Sequence, residues 1–150
     1  MTGTNFSSWY NNAQGTAYID ATFGNATGNA STGFVFYNTS ATNDYWQVLA
    51  ISTNQANGKV SGSYVNLNIG QPQLNTSAKV AMSISNGTWS ASANGGTIST
   101  ATANLPQNMN SLYLGTSNQG NSFLLNGRIK KFAYYPQAVT STQLQALTGS

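Results

Sequence analysis

The chain holds few side chains capable of covalent or proton-transfer chemistry. Its 150 residues contain two acids, Asp20 and Asp44, and five bases, Lys59, Lys79, Arg128, Lys130 and Lys131, with no histidine, cysteine or glutamate. Glycoside hydrolysis needs two carboxylates held roughly 5–9 Å apart. The only available pair is Asp20, in a strand-like stretch, and Asp44, at the end of a turn. A Ser–Lys nucleophile needs a lysine stripped of water beside the serine, whereas Lys59 and Lys79 stand in ordinary exposed strand patterns. Without cysteine there is neither a disulfide framework nor thiol chemistry. Calcium takes about six to eight oxygens, usually several of them carboxylate. Asn43-Asp44 is the one stretch of that character, and a single carboxylate falls short. The expectation is therefore a protein that is not an enzyme and uses no metal or cofactor.

Recognition by rings and neutral amides remains. Sugars stack their C–H faces on aromatic rings while amide and hydroxyl groups bond their hydroxyls. The chain offers such rings in Trp9-Tyr10-Asn11-Asn12, Tyr37-Asn38 and Asn43-Asp44-Tyr45-Trp46-Gln47. The candidate carbohydrate-binding residues are thus Trp9, Tyr10, Tyr37, Asn43, Asp44, Tyr45 and Trp46. Each ring has a competing place in a core. Trp46 lies in a stretch apolar on both parities, and Trp9 and Tyr10 precede the first strand, where they can cap a sandwich. Trp89, alternating with alanines, reads as core.

Composition points the same way. Charged residues make up 5% of the chain, against roughly 25% in ordinary soluble domains, while 39% hydrophobic and 11% aromatic content argues for a folded core. Asn, Ser, Thr, Gln and Gly fill the polar positions, a surface suited to sugars or to packing in a stable assembly. The net charge of +3 is concentrated in Arg128, Lys130 and Lys131. A phosphate-tracking surface needs a longer stripe of cations, so nucleic acid is not an expected partner. Strand parity puts Arg128 and Lys130 on one face and Lys131 on the other. This favours lysines guarding a sheet edge over a patch for acidic polysaccharide or lipopolysaccharide phosphate. No apolar run reaches transmembrane length and no charged-then-apolar leader opens the chain, so neither membrane insertion nor a signal peptide is expected. Six Asn-x-Ser/Thr sequons, at Asn5, Asn25, Asn29, Asn38, Asn75 and Asn86, are what so Asn-, Ser- and Thr-rich a chain yields by chance.

The positioning elements are short strands. Thr16 to Phe23 alternates, with Ala17, Ile19, Ala21 and Phe23 on one face. Gly24 to Gly33 reads as a loop, Phe34 to Asn38 as a strand, and Thr39 to Asn43 as a turn. Tyr45 to Ile51, apolar on both faces, predicts a central strand. Asn57-Gly58 signals a hairpin leading into Lys59–Tyr64 and a further segment around Val65–Ile69. Lys79–Ser85, Thr88–Ala93 and Thr97–Ala101, joined at Asn86-Gly87 and Asn94-Gly95-Gly96, predict a three-strand meander. Ser111–Gly115 is a short strand and Ser117–Asn121 a loop. Asn126-Gly127 carries the signature of a type I′ hairpin, followed by a strand over Arg128–Tyr135 that Pro136 ends. Thr140 and Gln143 form a capping box for a helix with Leu144 and Leu147 on one face. The whole predicts one all-β domain over residues 1–150, an antiparallel β-sandwich with one short C-terminal helix.

Three stretches carry a family resemblance. Leu112–Leu147, with its NGRIKKFAYYP strand and TSTQL helix start, resembles the close of concanavalin A-like jelly-roll domains of the laminin G type, above all those of bacteriophage fibre proteins. FSSWYN at Phe6–Asn11 followed by Gly15-Thr16, and KVAMSISNGTWSASANGGTI at Lys79–Ile98, resemble that group's opening and its middle hairpins. The resemblance implies a jelly roll displayed on a virion, on a tail or head fibre assembled with other virion proteins and commonly a homotrimer. Its partner would be a bacterial surface polysaccharide or lipopolysaccharide, and it would be made in the host cytoplasm. No catalytic or metal residue carries over. The alternatives left open are a structural virion domain without a ligand and, after it, an ancillary carbohydrate-binding module cut from a hydrolase.

Overall fold

The structure, a computed structural model, describes residues 1–24, 31–40, 43–50, 54–70, 75–117 and 123–150, with backbone only at 54 and 55. The described strands are β1 (Gly15–Thr22), β2 (Ser31–Tyr37), β3 (Tyr45–Ala50), β4 (Asn54–Val60), β5 (Ser63–Asn68), β6 (Ser77–Ser85), β7 (Thr88–Ala93), β8 (Ser99–Ala101), β9 (Ser111–Leu114) and β10 (Arg128–Tyr135). A short helix α1 (Thr4–Ser7) precedes them and α2 (Ser141–Gly149) follows. The strands form two antiparallel sheets, ordered β10-β1-β6-β7-β8 and β5-β4-β3-β2-β9. This is the expected sandwich. Loop readings at residues 25–30, 41–42 and 118–122, and the end of the third strand at Ile51, lie outside the described residues.

Alternation decides what enters the core. Ala17, Ile19 and Ala21 of β1, Val80, Met82 and Ile84 of β6, and Trp89, Ala91 and Ala93 of β7 line the first sheet's inner face. Phe34, Phe36, Trp46, Val48, Ala56 and Leu67 line the second. The meander β6–β7–β8 turns where expected, with Gly87 (φ 72°), Asn94 (φ 49°) and Gly95 (φ 69°) in the left-handed region that Asn and Gly tolerate. The third strand is indeed the centre of its sheet.

The first strand is less exposed than a half-buried reading allows: Thr16 and Tyr18, on its outer parity, are also buried. The cause is the C-terminal segment: Gln137 and Val139 cover Thr16, and α2 lies across the outer face of the first sheet over Tyr18. Leu144 packs with Tyr18 and Ala81, flanked by Ile98, Ala133 and Leu147. Its capping box is present, with Gln143 N–H donating to Thr140 Oγ1 at 3.3 Å and Thr140 N–H to Gln143 Oε1 at 2.9 Å.

Two Asn-Gly pairs are not hairpin turns. Asn57 and Gly58 lie inside β4, paired with Gln47 and Trp46 on one side and Asn66 and Val65 on the other. The chain reverses instead at Ser61-Gly62, with φ of 48° and 89°. Gly58 answers to packing: a Cβ there would stand 2.5 Å from the Trp89 ring and 2.4 Å from the Tyr45 carbonyl oxygen. At Asn126-Gly127 only Asn126 is left-handed (φ 45°). The following strand pairs with distant β1. A Cβ on Gly127 would lie 1.8 Å from the Thr22 carbonyl oxygen, so this glycine permits two backbones to cross.

The parity of the cationic strand is also revised. Asp20 pairs with Lys131 but Ala21 pairs with Ile129, so Lys130 is the extra residue of a β-bulge. Ile129 therefore joins Phe132 and Tyr134 against the core. Lys130 Nζ reaches Ser77 Oγ at 2.9 Å, and that hydroxyl donates to Asp20 Oδ1 at 2.7 Å. Lys131 Nζ stands 5.9 Å from the Tyr18 ring centre, and Lys79 pairs opposite Asp20. Lys130 and Lys131, expected on opposite faces, thus share one outer face around Asp20, beside Lys79. Because β10 is an edge strand, the edge-guarding reading keeps its physical basis.

Filling the space above Gly58 is expected to be costly. Gly58→Ala should lower stability by about 1–3 kcal/mol, the usual effect of overpacking, read from the urea midpoint at unchanged slope. An unaltered midpoint would mean that Trp89 is not seated there.

Candidate functional site

The third strand sends its residues to opposite sides. Trp46 and Val48 enter the core, so Tyr45 and Gln47 face outward. Register extends this pattern across the sheet. Tyr37, Tyr45, Lys59 and Tyr64 are successive cross-strand partners on β2, β3, β4 and β5. Val35, Gln47, Asn57 and Asn66 form the next rank, with Tyr113 beside Val35. The outer face of the second sheet therefore presents a row of tyrosines above a row of amides.

Tyr37 and Tyr45 are stacked, with centres 6.5 Å apart and planes 28° apart. The Tyr37 hydroxyl donates to Asn43 Oδ1 at 2.7 Å, and Gln47 Nε2 donates to Asn57 Oδ1 at 3.0 Å. Tyr64 is 68% exposed, with Lys59 Nζ 5.8 Å from its ring centre. Tyr45 is half-buried, and burial, reinforced by the neighbouring Tyr64 and Tyr37, raises its phenol above the ordinary value. Among the described strand residues of this sheet Lys59 carries the only formal charge. Such a face can hydrogen-bond through neutral groups and stack against apolar C–H surfaces.

Of the seven sequence-predicted residues, Tyr37, Asn43 and Tyr45 belong to this face, while four are corrected or set apart. Trp46 is fully buried and Tyr10 nearly so; the indole N–H donates to the Tyr10 hydroxyl at 3.0 Å. Their rings are core and cannot meet a ligand. Asp44 is 2% exposed, and its carboxylate is spent on backbone, accepting from Ser61 N–H at 2.9 Å and Gln107 N–H at 3.3 Å. It ties loops together and does not face outward. Trp9 is half-buried at the far end of the core, edge-on to Phe6 and Tyr134, with centres 5.0 and 5.1 Å apart. The sequence reading named Gln47 only as an amide beside the rings and missed Lys59, Tyr64, Asn66 and Tyr113 as members of one surface. Cross-strand register alone unites them, and the misplaced Asn57-Gly58 turn concealed it.

The two acids stand on different sheets, Asp20 on β1 and Asp44 before β3, so no pair of carboxylates flanks a common cleft. Because the Asp44 oxygens are engaged by N–H donors, a chelator such as EDTA is expected to leave the melting temperature unchanged. A fall of several degrees would reveal a metal site.

The buried Tyr10–Trp46 pair yields a second expectation. Burial raises the Tyr10 phenol, the bond from Trp46 opposing and the nearby Tyr134 adding to the rise. The folded state thus favours the neutral phenol. Its contribution is fully present below the unfolded value of about 10 and is lost as pH rises above it. Tyr10→Phe should cost about 1–3 kcal/mol at neutral pH by orphaning the indole donor. It should also flatten the alkaline fall in melting temperature between about pH 9 and 12.

No protein-family model matches the chain, and no curated protein matches it. Solved structures do. The CBM40 of the Ruminococcus gnavus IT-sialidase bound to α2,6 sialyllactose matches at a TM-score of 0.74 and 17% identity, over 93% of this chain and 85% of that one. The same module bound to α2,3 sialyllactose matches at 0.74 and 19%, over 93% and 84%. A leech intramolecular trans-sialidase matches at 0.72 and 16%, but this chain spans only 24% of its length. At these identities what is shared is the fold, an antiparallel β-sandwich.

Proposed function

We propose that this protein is a non-enzymatic carbohydrate-binding domain, and that the outer face of the β5-β4-β3-β2-β9 sheet is its binding surface. The observation that carries the reading is the row Tyr37–Tyr45–Tyr64 set beside Gln47, Asn57 and Asn66 on a nearly uncharged sheet. Rings give sugar C–H faces a platform, and amides give hydroxyls their partners. The fold shared with modules solved with sialyllactose supports a glycan as the ligand class. The resemblance of the opening, middle and closing motifs to phage fibre jelly rolls supports the narrower reading. In it, the domain sits on a virion fibre or spike, assembles with other virion proteins as a homotrimer, and recognises bacterial polysaccharide or lipopolysaccharide.

The test is an array of bacterial surface polysaccharides together with sialylated and neutral mammalian glycans, probed with the purified chain. Binding is expected, and Tyr45→Ala should weaken it about tenfold or more, equivalent to about 1.4 kcal/mol, with circular dichroism unchanged. Failure of the folded wild-type chain to bind any glycan would favour the structural virion domain.

A further inference from the structure

Beyond the sheet face, the edge of the sandwich next to Tyr64 holds a cleft of about 310 Å³. One wall is the β4–β5 hairpin, with Ser61, Ser63 and Tyr64; the other is the segment after β8, with Thr102, Ala103 and Asn104. Val60 and Val65, both buried, line it from within. Ser61, Ser63, Tyr64, Thr102 and Asn104 are exposed, and no lining residue is charged. Its volume is at the low end of the roughly 300–1,000 Å³ of small-molecule sites.

Both walls are held from behind. The Asp44 carboxylate accepts from Ser61 N–H in the hairpin and from Gln107 N–H in the opposite segment, so one buried group fixes the two relative to each other. The Trp89 indole N–H donates to the Asn104 carbonyl at 3.2 Å, anchoring the second wall to the core. A cleft built this way loses little freedom when occupied, because its ordering cost has already been met in folding.

We propose that this cleft is a second sugar subsite, taking a neutral pyranose unit against Tyr64 with hydroxyls bonded by Ser61, Thr102 and Asn104. Apolar flooring with a neutral polar rim matches a pyranose, which is apolar on its C–H face and hydroxylated at its edge. The described lining residues are all uncharged, which suits a neutral sugar. The inference rests on the carbohydrate-binding reading and adds a site that abuts the tyrosine row through Tyr64.

The experiment is a two-dimensional ¹H–¹⁵N titration of the whole chain with D-glucose, D-galactose, L-rhamnose and N-acetyl-D-glucosamine, each run separately. Saturable amide shifts are expected at Ser61, Ser63, Thr102 and Asn104 with at least one sugar. They should persist in Tyr45→Ala and vanish in the double variant Tyr64→Ala, Asn104→Ala, whose exposed positions leave the fold intact. Saturable shifts confined to the Tyr37, Tyr45 and Gln47 region would overturn the cleft while leaving the sheet-face reading standing. Cleft shifts that survive the double variant would overturn the assignment of these residues. Silence at both places with all four sugars would overturn the subsite and count against the carbohydrate reading with it.

Discussion

Two sheets keep a fixed separation only if something of fixed thickness stands between them, and in this protein a column of aromatic rings does so. Phe36 and Trp46 of the second sheet lie face to face, 4.3 Å apart and 10° from parallel. Phe34 meets Phe132 of β10 at 5.6 Å, and Tyr10 meets Tyr134 at 5.5 Å, so the column bridges both sheets and the N-terminal segment. Its buried polar tips, the Trp46 indole and the Tyr10 phenol, satisfy each other. A fully buried large side chain contributes about 1.5–3 kcal/mol relative to exposure, and the column gathers several. It also fixes register. Since Trp46 must point inward, Tyr45 and Gln47 must point outward, because a one-residue slip would exchange the faces of the whole strand. The tyrosine row on the surface follows from where the tryptophan goes.

The two outer faces are put to different uses. The first sheet carries α2, which buries Tyr18 and Ala81 under Leu144 and leaves the lysines gathered around Asp20 beside it. The second sheet shows tyrosines and amides over β3, β4 and β5, with Lys59 the one formal charge among its described strand residues. Gly58 serves both sides of that sheet: having no side chain, it admits the Trp89 ring from within while Asn57 and Lys59 on either side of it keep their outward places. Asp44, one of only two acids in the chain, is spent on backbone N–H groups at the joint between loops.

Much of this was written locally in the sequence. Alternation in Ala17–Ile19–Ala21, in Val80–Met82–Ile84 and in Trp89–Ala91–Ala93 identified inward faces, and the Thr140/Gln143 capping box located the helix. Local signals failed where long-range packing overrode them. Asn57-Gly58 has the composition of a turn but is straightened by the ring above it, and Asn126-Gly127 marks a crossing of chains. The bulge at Lys130 arises from pairing with β1 and changes which residues face the core, something strand parity alone cannot foresee. The candidate face was half visible: Tyr37, Asn43 and Tyr45 stood out as rings and amides near each other in sequence. Tyr64, Asn66 and Tyr113 did not, because their neighbours come from other strands.

The pairing of β1 with β10 has a consequence for synthesis. As the chain emerges, β1 acquires β6 along one edge, but its other edge must wait until β10, more than a hundred residues later, has been made. During that interval Ala17, Ile19 and Ala21 belong to an open sheet margin, while three of the chain's five cations, Arg128, Lys130 and Lys131, lie in the strand still to come. Contacts of such sequence separation form slowly. A nascent sandwich of this design is most vulnerable to pairing with its neighbours just before its last strand arrives, and crowded copies on one messenger would meet in that state.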